Sequence, residues 1–268
     1  MRQEKEIFTI FNELQDIFGK SELILISAFF KENTIYEKHV NQFEALLNHP
    51  ENSDLYYWML GRLLVSAHLL NDTARVEQAY SELSKVTLSN QSTFSLQDFC
   101  ISWGIAYLAC YEGLTCHANY DETKEVLTQI VASQYIFFEK TGHAAVNFFA
   151  WTVAMAIQAS GFAKDESFYL TMRLAFMKLK PANNIAETLQ LIDPSYPFWM
   201  RAILLNTARI FSDDETESSL KNMQQKFYQS AEPAALGKKV RDEVLAQATQ
   251  EYFDREMQEE TEKNMLTV

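Results

Sequence analysis

Glycine and proline are scarce: 7 and 5 respectively in 268 residues. Both fall well below ordinary usage, which argues against a turn-rich β fold and against a glycine-rich phosphate loop. Cysteine is also sparse. Cys100, Cys110 and Cys116 are odd in number and form no CxxC pair, so they read as reduced thiols of a cytoplasmic protein, at least two of them facing the core. Positive charge is in deficit, the net charge being −13, and no basic run exceeds Lys238-Lys239-Val240-Arg241. A chain of that sign repels phosphate backbones, and no nucleic acid is expected as a partner.

Several chemistries lack their residues too. None of His39, His49, His68, His117 or His143 follows a glutamate at the Glu-x-x-His spacing of di-iron helix bundles, and no G-x-S-x-G elbow exists. Cys110, Cys116, His117 and Asp121 lie close in sequence, but without a closed ligand set they predict a polar loop, not a metal centre. The run Met1–Glu6 is charged and leads into an amphipathic helix rather than a signal segment.

What is present is helix-forming sequence. Apolar residues make up 47% of the chain, and most recur at spacings of three and four. Ile7, Ile10, Phe11, Leu14, Ile17 and Phe18 do so ahead of Gly19, a helix-stop signal. Residues 22–30 (ELILISAFF) fit a helix or a strand. Thr34 with Glu37, Ser95 with Asp98, Asn184 with Glu187 and Ser212 with Glu215 read as helix N-terminal caps. Helices are expected over about 54–70, 73–88, 95–113, 121–139, 144–162, 165–179 and 198–211, with Gly113 and Gly161 marking ends. Pro181 and Asp193-Pro194-Ser195-Tyr196-Pro197 break the chain, and Glu232-Pro233 opens a last, increasingly charged helix.

One segment is apolar on nearly every face. No Lys, Arg, Asp or Glu occurs between Lys140 and Lys164. Such a helix must be enclosed by other helices or by lipid. Its Asn147, Thr152, Gln158 and Ser160, and the lack of an asymmetric basic flank, favour enclosure, with no stable membrane insertion.

The tryptophans stand at 58, 103, 151 and 199, spaced by 45, 48 and 48 residues, and three positions after each stands a small residue: Gly61, Ala106, Ala154 and Ala202. A ring beside a notch one turn along lets a neighbouring helix approach closely. A period of this length resembles the helix-pair repeats of the HEAT and armadillo families more than the 34-residue tetratricopeptide unit. That resemblance implies an all-α, right-handed, solenoid-like stack of antiparallel helix pairs. In it 54–230 is the repeat body, 1–53 supplies capping helices and 231–268 an acidic helix and tail. It implies a protein–protein interaction scaffold or adaptor, needing no cofactor, whose partner is a protein.

Two further resemblances involve short segments. Asp213-Asp214-Glu215-Thr216-Glu217 resembles the DDxx(D/E) element of terpene synthases and prenyltransferases, which implies an enzyme holding Mg²⁺ and diphosphate on Asp213, Asp214 and Glu217. The second acidic motif of those families does not occur in this chain. Acidic residues behind a capping residue are also what a helix dipole favours. The tail 251–268 is glutamate-dense and then uncharged, ending Asn264-Met265-Leu266-Thr267-Val268. It resembles the C-terminal signal of Dot/Icm type IV secretion effectors, implying export into a host cell.

Overall fold

The computed structural model describes residues 24–25, 27–28, 31, 33–88, 94–141, 146–179, 184–192 and 198–230. Among these the regular structure is all helical. The ambiguous run 22–30 is helical at 24–25 and 27–28, with Ile24, Leu25 and Ala28 buried. A strand would have sent the adjacent Ile24 and Leu25 to opposite faces. Helix α1 spans Asn33–Leu47, and a 3₁₀ turn at Pro50–Leu55 leads into α2 at Tyr56–Leu69. Then follow α3 (Thr73–Leu83), α4 (Leu96–Leu114), α5 (Tyr120–Thr141), α6 (Val146–Ala163), α7 (Glu166–Met177), α8 (Ile185–Ile192), α9 (Phe198–Ile210) and α10 (Asp214–Ser230). Gly19, His143, the proline breaks at 181 and 193–197, and everything after 230, the secretion-like tail included, lie outside the described residues.

The tryptophan helices form a row: α2 packs on α4, α4 on α6, and α6 on α9. Outside the row α3 covers α2, α5 covers α4, α7 covers α6 and α10 covers α9. The short α8 reaches α6, α7 and α10. Composition explains which helices lie inside. In α6 the chain is long and apolar enough to cross a membrane, yet 72% of that stretch is buried inside the protein. Ala150, Val153, Ala154, Ala156, Ile157 and Ala159 are inaccessible on every side of the helix, which takes neighbours on every side. The outer helices bury one face only, as with Leu127, Ile130 and Val131 of α5.

The ends of the helices correct several sequence expectations. The Ser95–Asp98 box forms, with Ser95 N–H donating to Asp98 Oδ2 at 2.7 Å and Asp98 N–H to Ser95 Oγ at 3.3 Å. Asn184 Oδ1 accepts from Glu187 N–H at 3.0 Å, as its spacing predicts. Thr34, however, lies inside α1, not ahead of it. At the head of α10 the cap is Asp213, which accepts from Thr216 N–H at 3.0 Å. Ser212 is spent on ending α9 with φ 52°. Gly113 and Gly161 do not terminate their helices either. An added Cβ on Gly113 would meet Ala163 at 3.0 Å, and one on Gly161 would meet Thr207 at 3.2 Å. Their lack of a side chain serves close packing, and helix reversal falls to residues with side chains.

Candidate functional site

The acidic motif does not converge on a common point. Asp213 Oδ2 takes the Tyr169 hydroxyl at 2.7 Å, the Thr216 hydroxyl at 2.8 Å and Arg173 Nε at 2.9 Å. Burial alone would raise this carboxyl. The hydrogen bonds from Tyr169 and Thr216, with the Arg173 charge, outweigh it and hold Asp213 below the usual carboxylate range. Asp214 is exposed. Glu217 pairs with Lys221 and, at 3.0 Å, with Arg209. The Lys221 bond is the main reason its carboxyl titrates low. Among the described residues no group of three or more His, Cys, Asp or Glu side chains is placed to hold a metal ion. What the Asp213 cluster does chemically is fix a turn.

That turn recurs along the chain. Asn71, Cys116, Lys164 and Ser212 have φ of 60°, 50°, 54° and 52°, and each stands thirteen residues after a tryptophan. At each, the left-handed residue donates its N–H three residues back: Asn71 to His68 (3.0 Å), Cys116 to Gly113 (3.3 Å), Lys164 to Gly161 (3.2 Å) and Ser212 to Arg209 (3.2 Å). The next residue donates five back: Asp72 to Ala67 (2.9 Å), His117 to Glu112 (2.8 Å), Asp165 to Ser160 (2.9 Å) and Asp213 to Ala208 (2.8 Å). This pair of bonds is the Schellman closure, satisfying carbonyls that a helix end leaves open. It normally takes glycine, since a left-handed side-chain-bearing residue costs roughly 1–2 kcal/mol. Lys31 has φ 56° and bonds Ala28 O at 3.1 Å.

Each turn is also gripped by the outer helix that precedes it. Asp72, which caps α3, accepts from Tyr36 of α1 at 3.3 Å, while Arg75 bonds both Asp72 (2.6 Å) and Glu44 of α1 (2.8 Å). Asp165, which caps α7, takes Lys124 of α5 at 2.9 Å. Asp213 takes Tyr169 and Arg173 of α7. The remaining turn differs. It carries His117, whose Nδ1 accepts from Asn119 N–H at 3.2 Å, and it meets Tyr80 of α3 by ring contact at 5.2 Å. Beneath it Glu112 is completely buried, Oε1 accepting from Tyr80 at 3.2 Å and Oε2 without a partner.

Glu112 gives a pH signature. Burial raises its carboxyl above the 4.5 of a free glutamate, against the lowering pull of Thr123, Tyr80 and His117; Glu122 adds to the rise. The folded chain therefore keeps a proton that the unfolded chain has lost. The associated stability is fully present below about pH 4.5 and is lost as pH rises through the folded value. Denaturant midpoints measured from pH 4.5 upward should fall more steeply for the natural protein than for Glu112→Gln. Parallel curves would show that the carboxylate is compensated where it lies.

Of the tryptophans, Trp58 is buried under the Arg62 guanidinium, 4.8 Å from the ring centroid. Trp103 is buried, donates from Nε1 to Thr152 Oγ1 at 3.1 Å and stacks on Phe148. Trp151 is half-buried, and the Trp199 side chain lies outside the described residues. Ala106, Ala154 and Ala202 are buried. A Cβ on Gly61 would come within 2.7 Å of Tyr107 on the neighbouring row helix, whose hydroxyl accepts from Arg62 Nε at 3.0 Å. Cys100 and Cys110 are buried free thiols, the first pushed up to about 12 by burial and then by Asp54, the second raised by burial; Cys116 is exposed. Of the left-handed residues only Asn71 is of a type that favours this conformation; Cys116, Lys164 and Ser212 give no such signal. A signal does come from the aspartates after three of the four: Asp72, Asp165 and Asp213 share one phase with the tryptophans. No family model, curated protein or solved structure matches the chain.

Proposed function

We propose that this protein is a helical-repeat scaffold that binds another protein. Its units are antiparallel helix pairs, each a tryptophan helix, a two-residue left-handed turn and an outer helix, stacked in a solenoid-like row. The observation that carries the reading is the Schellman turn repeated at 71, 116, 164 and 212 with the same two hydrogen bonds and the same phase to tryptophan. Four non-glycine residues held left-handed in one phase are costly to keep by accident. The grip of each outer helix on the following turn then fixes one unit against the next, which is how repeat proteins build long surfaces from nearest-neighbour contacts. A protein-binding role follows from that surface together with carboxylates already committed to structure.

Excision provides the test of the architecture. Removing residues 146–193, one whole 48-residue period, should leave a cooperative fold with unchanged helicity per residue, whereas removing 146–169 should abolish it. Loss of folding in both would sink the repeat. The rival enzyme reading is tested by assaying the intact protein with Mg²⁺ and farnesyl diphosphate. No diphosphate release is expected, and turnover abolished by Asp213→Asn would replace the scaffold with an enzyme.

A further inference from the structure

We infer that the turn between α4 and α5 is a proton-operated latch. It opens locally when the buried carboxyl of Glu112 ionises, and the other three turns stay shut. The inference rests on the turns themselves and not on what the scaffold binds, so its failure leaves that reading standing.

Comparison of the four turns, position by position, isolates this one. Directly after the left-handed residue stand Asp72, Asp165 and Asp213, but here His117. Four residues before it the other turns have Ala67, Ser160 and Ala208, and this one has Glu112. All four of these side chains are inaccessible to solvent. On the outer helix that grips the following turn, nine residues after the left-handed residue, α7 has Arg173 where α3 has Tyr80. So the carboxyl lies beneath the turn instead of at its rim, and a phenol stands where a cation would. None of the ion pairs among the described residues includes Glu112.

Ionisation has opposite consequences at the two kinds of turn. Burial works against Asp72, Asp165 and Asp213, yet bonds from Arg75, Lys124 and Tyr169 outweigh it and hold them below the usual carboxylate range. Those three keep one charge state from mildly acidic pH upward. Glu112 instead releases its proton to solvent above the ordinary glutamate range and is left with a buried charge. Its Oε1 has the Tyr80 hydroxyl at 3.2 Å, while Oε2 has no partner. A buried carboxylate oxygen without a donor is costly, and water is the nearest relief. Reaching water moves the residue whose own backbone closes the turn, since Glu112 O accepts from His117 N–H at 2.8 Å. It also moves Tyr80, whose hydroxyl bonds Glu112 and Asn119 and whose ring meets His117. One ionisation therefore loosens both the closure of the turn and the grip of α3 on it.

Among the described residues no other group supplies the missing charge. From α5 come Thr123, which hydrogen-bonds the carboxyl, and Glu122, which repels it. From α2 comes His68, set edge-on to the Tyr111 ring at 5.2 Å and lowered by burial, so it stays neutral at neutral pH. Tyr80 and Tyr111 are raised by burial and then by Glu112, and remain protonated. His117 attracts the carboxylate without forming an ion pair. The α6 sequence has no titratable side chain.

Hydrogen exchange of the intact protein tests the latch, read by mass spectrometry on peptides covering each turn and corrected for intrinsic rates at each pH. Protection at 113–120 should fall as pH rises through the Glu112 titration, by up to roughly tenfold per pH unit, the limit for one proton. Protection at 68–75, 161–168 and 209–216 should stay level. Glu112→Gln removes the ionisation and should make 113–120 level too. Tyr80→Arg, which puts a cation where α7 has Arg173, should do the same and serves if the glutamine variant does not fold. Level protection at 113–120 in the natural protein overturns the latch, as does a fall that persists in either folded variant. So does an equal fall at all four turns, because the whole fold then opens and no single turn is the switch.

Discussion

Trp103→Ala is expected to destabilise the protein by about 4 kcal/mol, within the roughly 3–5 kcal/mol seen when a large buried aromatic is truncated. The ring is buried between α4 and α6, stacked on Phe148, and its Nε1 is bonded to Thr152. Truncation would leave a void at the centre of the row and remove the indole N–H bond to Thr152, whose hydroxyl keeps its own bond to Phe148 O at 3.2 Å. Trp151→Ala is the internal comparison. Its ring is half-buried, so less surface is lost and a cost of about half is expected. Urea denaturation of the two variants checks the order. Equal midpoints, or a larger loss at Trp151, would mean that the α4–α6 contact is not anchored by the Trp103 ring.

The second large effect comes from adding a single methyl. Gly104→Ala places a Cβ 2.7 Å from the Tyr57 carbonyl oxygen and 3.1 Å from its carbon. Backbone cannot swing aside as a side-chain tip can, so α2 and α4 must separate. A net loss of about 2 kcal/mol is expected, as for other overpacked interiors, even though alanine favours helix over glycine by about 1 kcal/mol. Gly161→Ala is the control, because its nearest atoms are the ends of Thr207 and Ile210 at 3.2–3.3 Å. There the two terms nearly cancel. Thermal midpoints should therefore drop by several degrees for Gly104→Ala and hardly move for Gly161→Ala. A rise at Gly104 would show the α2–α4 approach to be looser than its geometry.

The helical class was legible because it depends on the periodicity of apolar residues, and periodicity is local. The enclosure of α6 was legible for the same reason: a stretch with no charge between Lys140 and Lys164 cannot present a solvent face. Turn chemistry was misread where two signals overlapped. Ser212-Asp213 offers two capping residues in succession, and the sequence alone favours the first, through the Ser212–Glu215 spacing. The left-handed reversal consumes Ser212 and passes the cap to Asp213. Gly113 and Gly161 misled similarly, since glycine signals either a reversal or a close contact, and only the neighbouring helix decides which. The partners of the motif 213–217 were not legible, because carboxylate spacing is visible in a sequence whereas the groups bonded to those carboxylates are not. Tyr169 and Arg173 lie some forty residues upstream. Nothing local marks them as partners of Asp213.

The turns also determine how the molecule would answer a pull. Tension applied between the two ends passes through the junctions in series, so the whole is as strong as its weakest link. Three links close on an aspartate held by cation, hydroxyl or both: Asp72, Asp165 and Asp213. The link at His117 is held without a cation, by the Tyr80 hydroxyl, which donates to Glu112 and accepts from Asn119 at 3.1 Å, and by the ring contact of Tyr80 with His117. High salt screens the ion pairs of the other three links and leaves this one as it is, so the order of the links under tension depends on ionic strength.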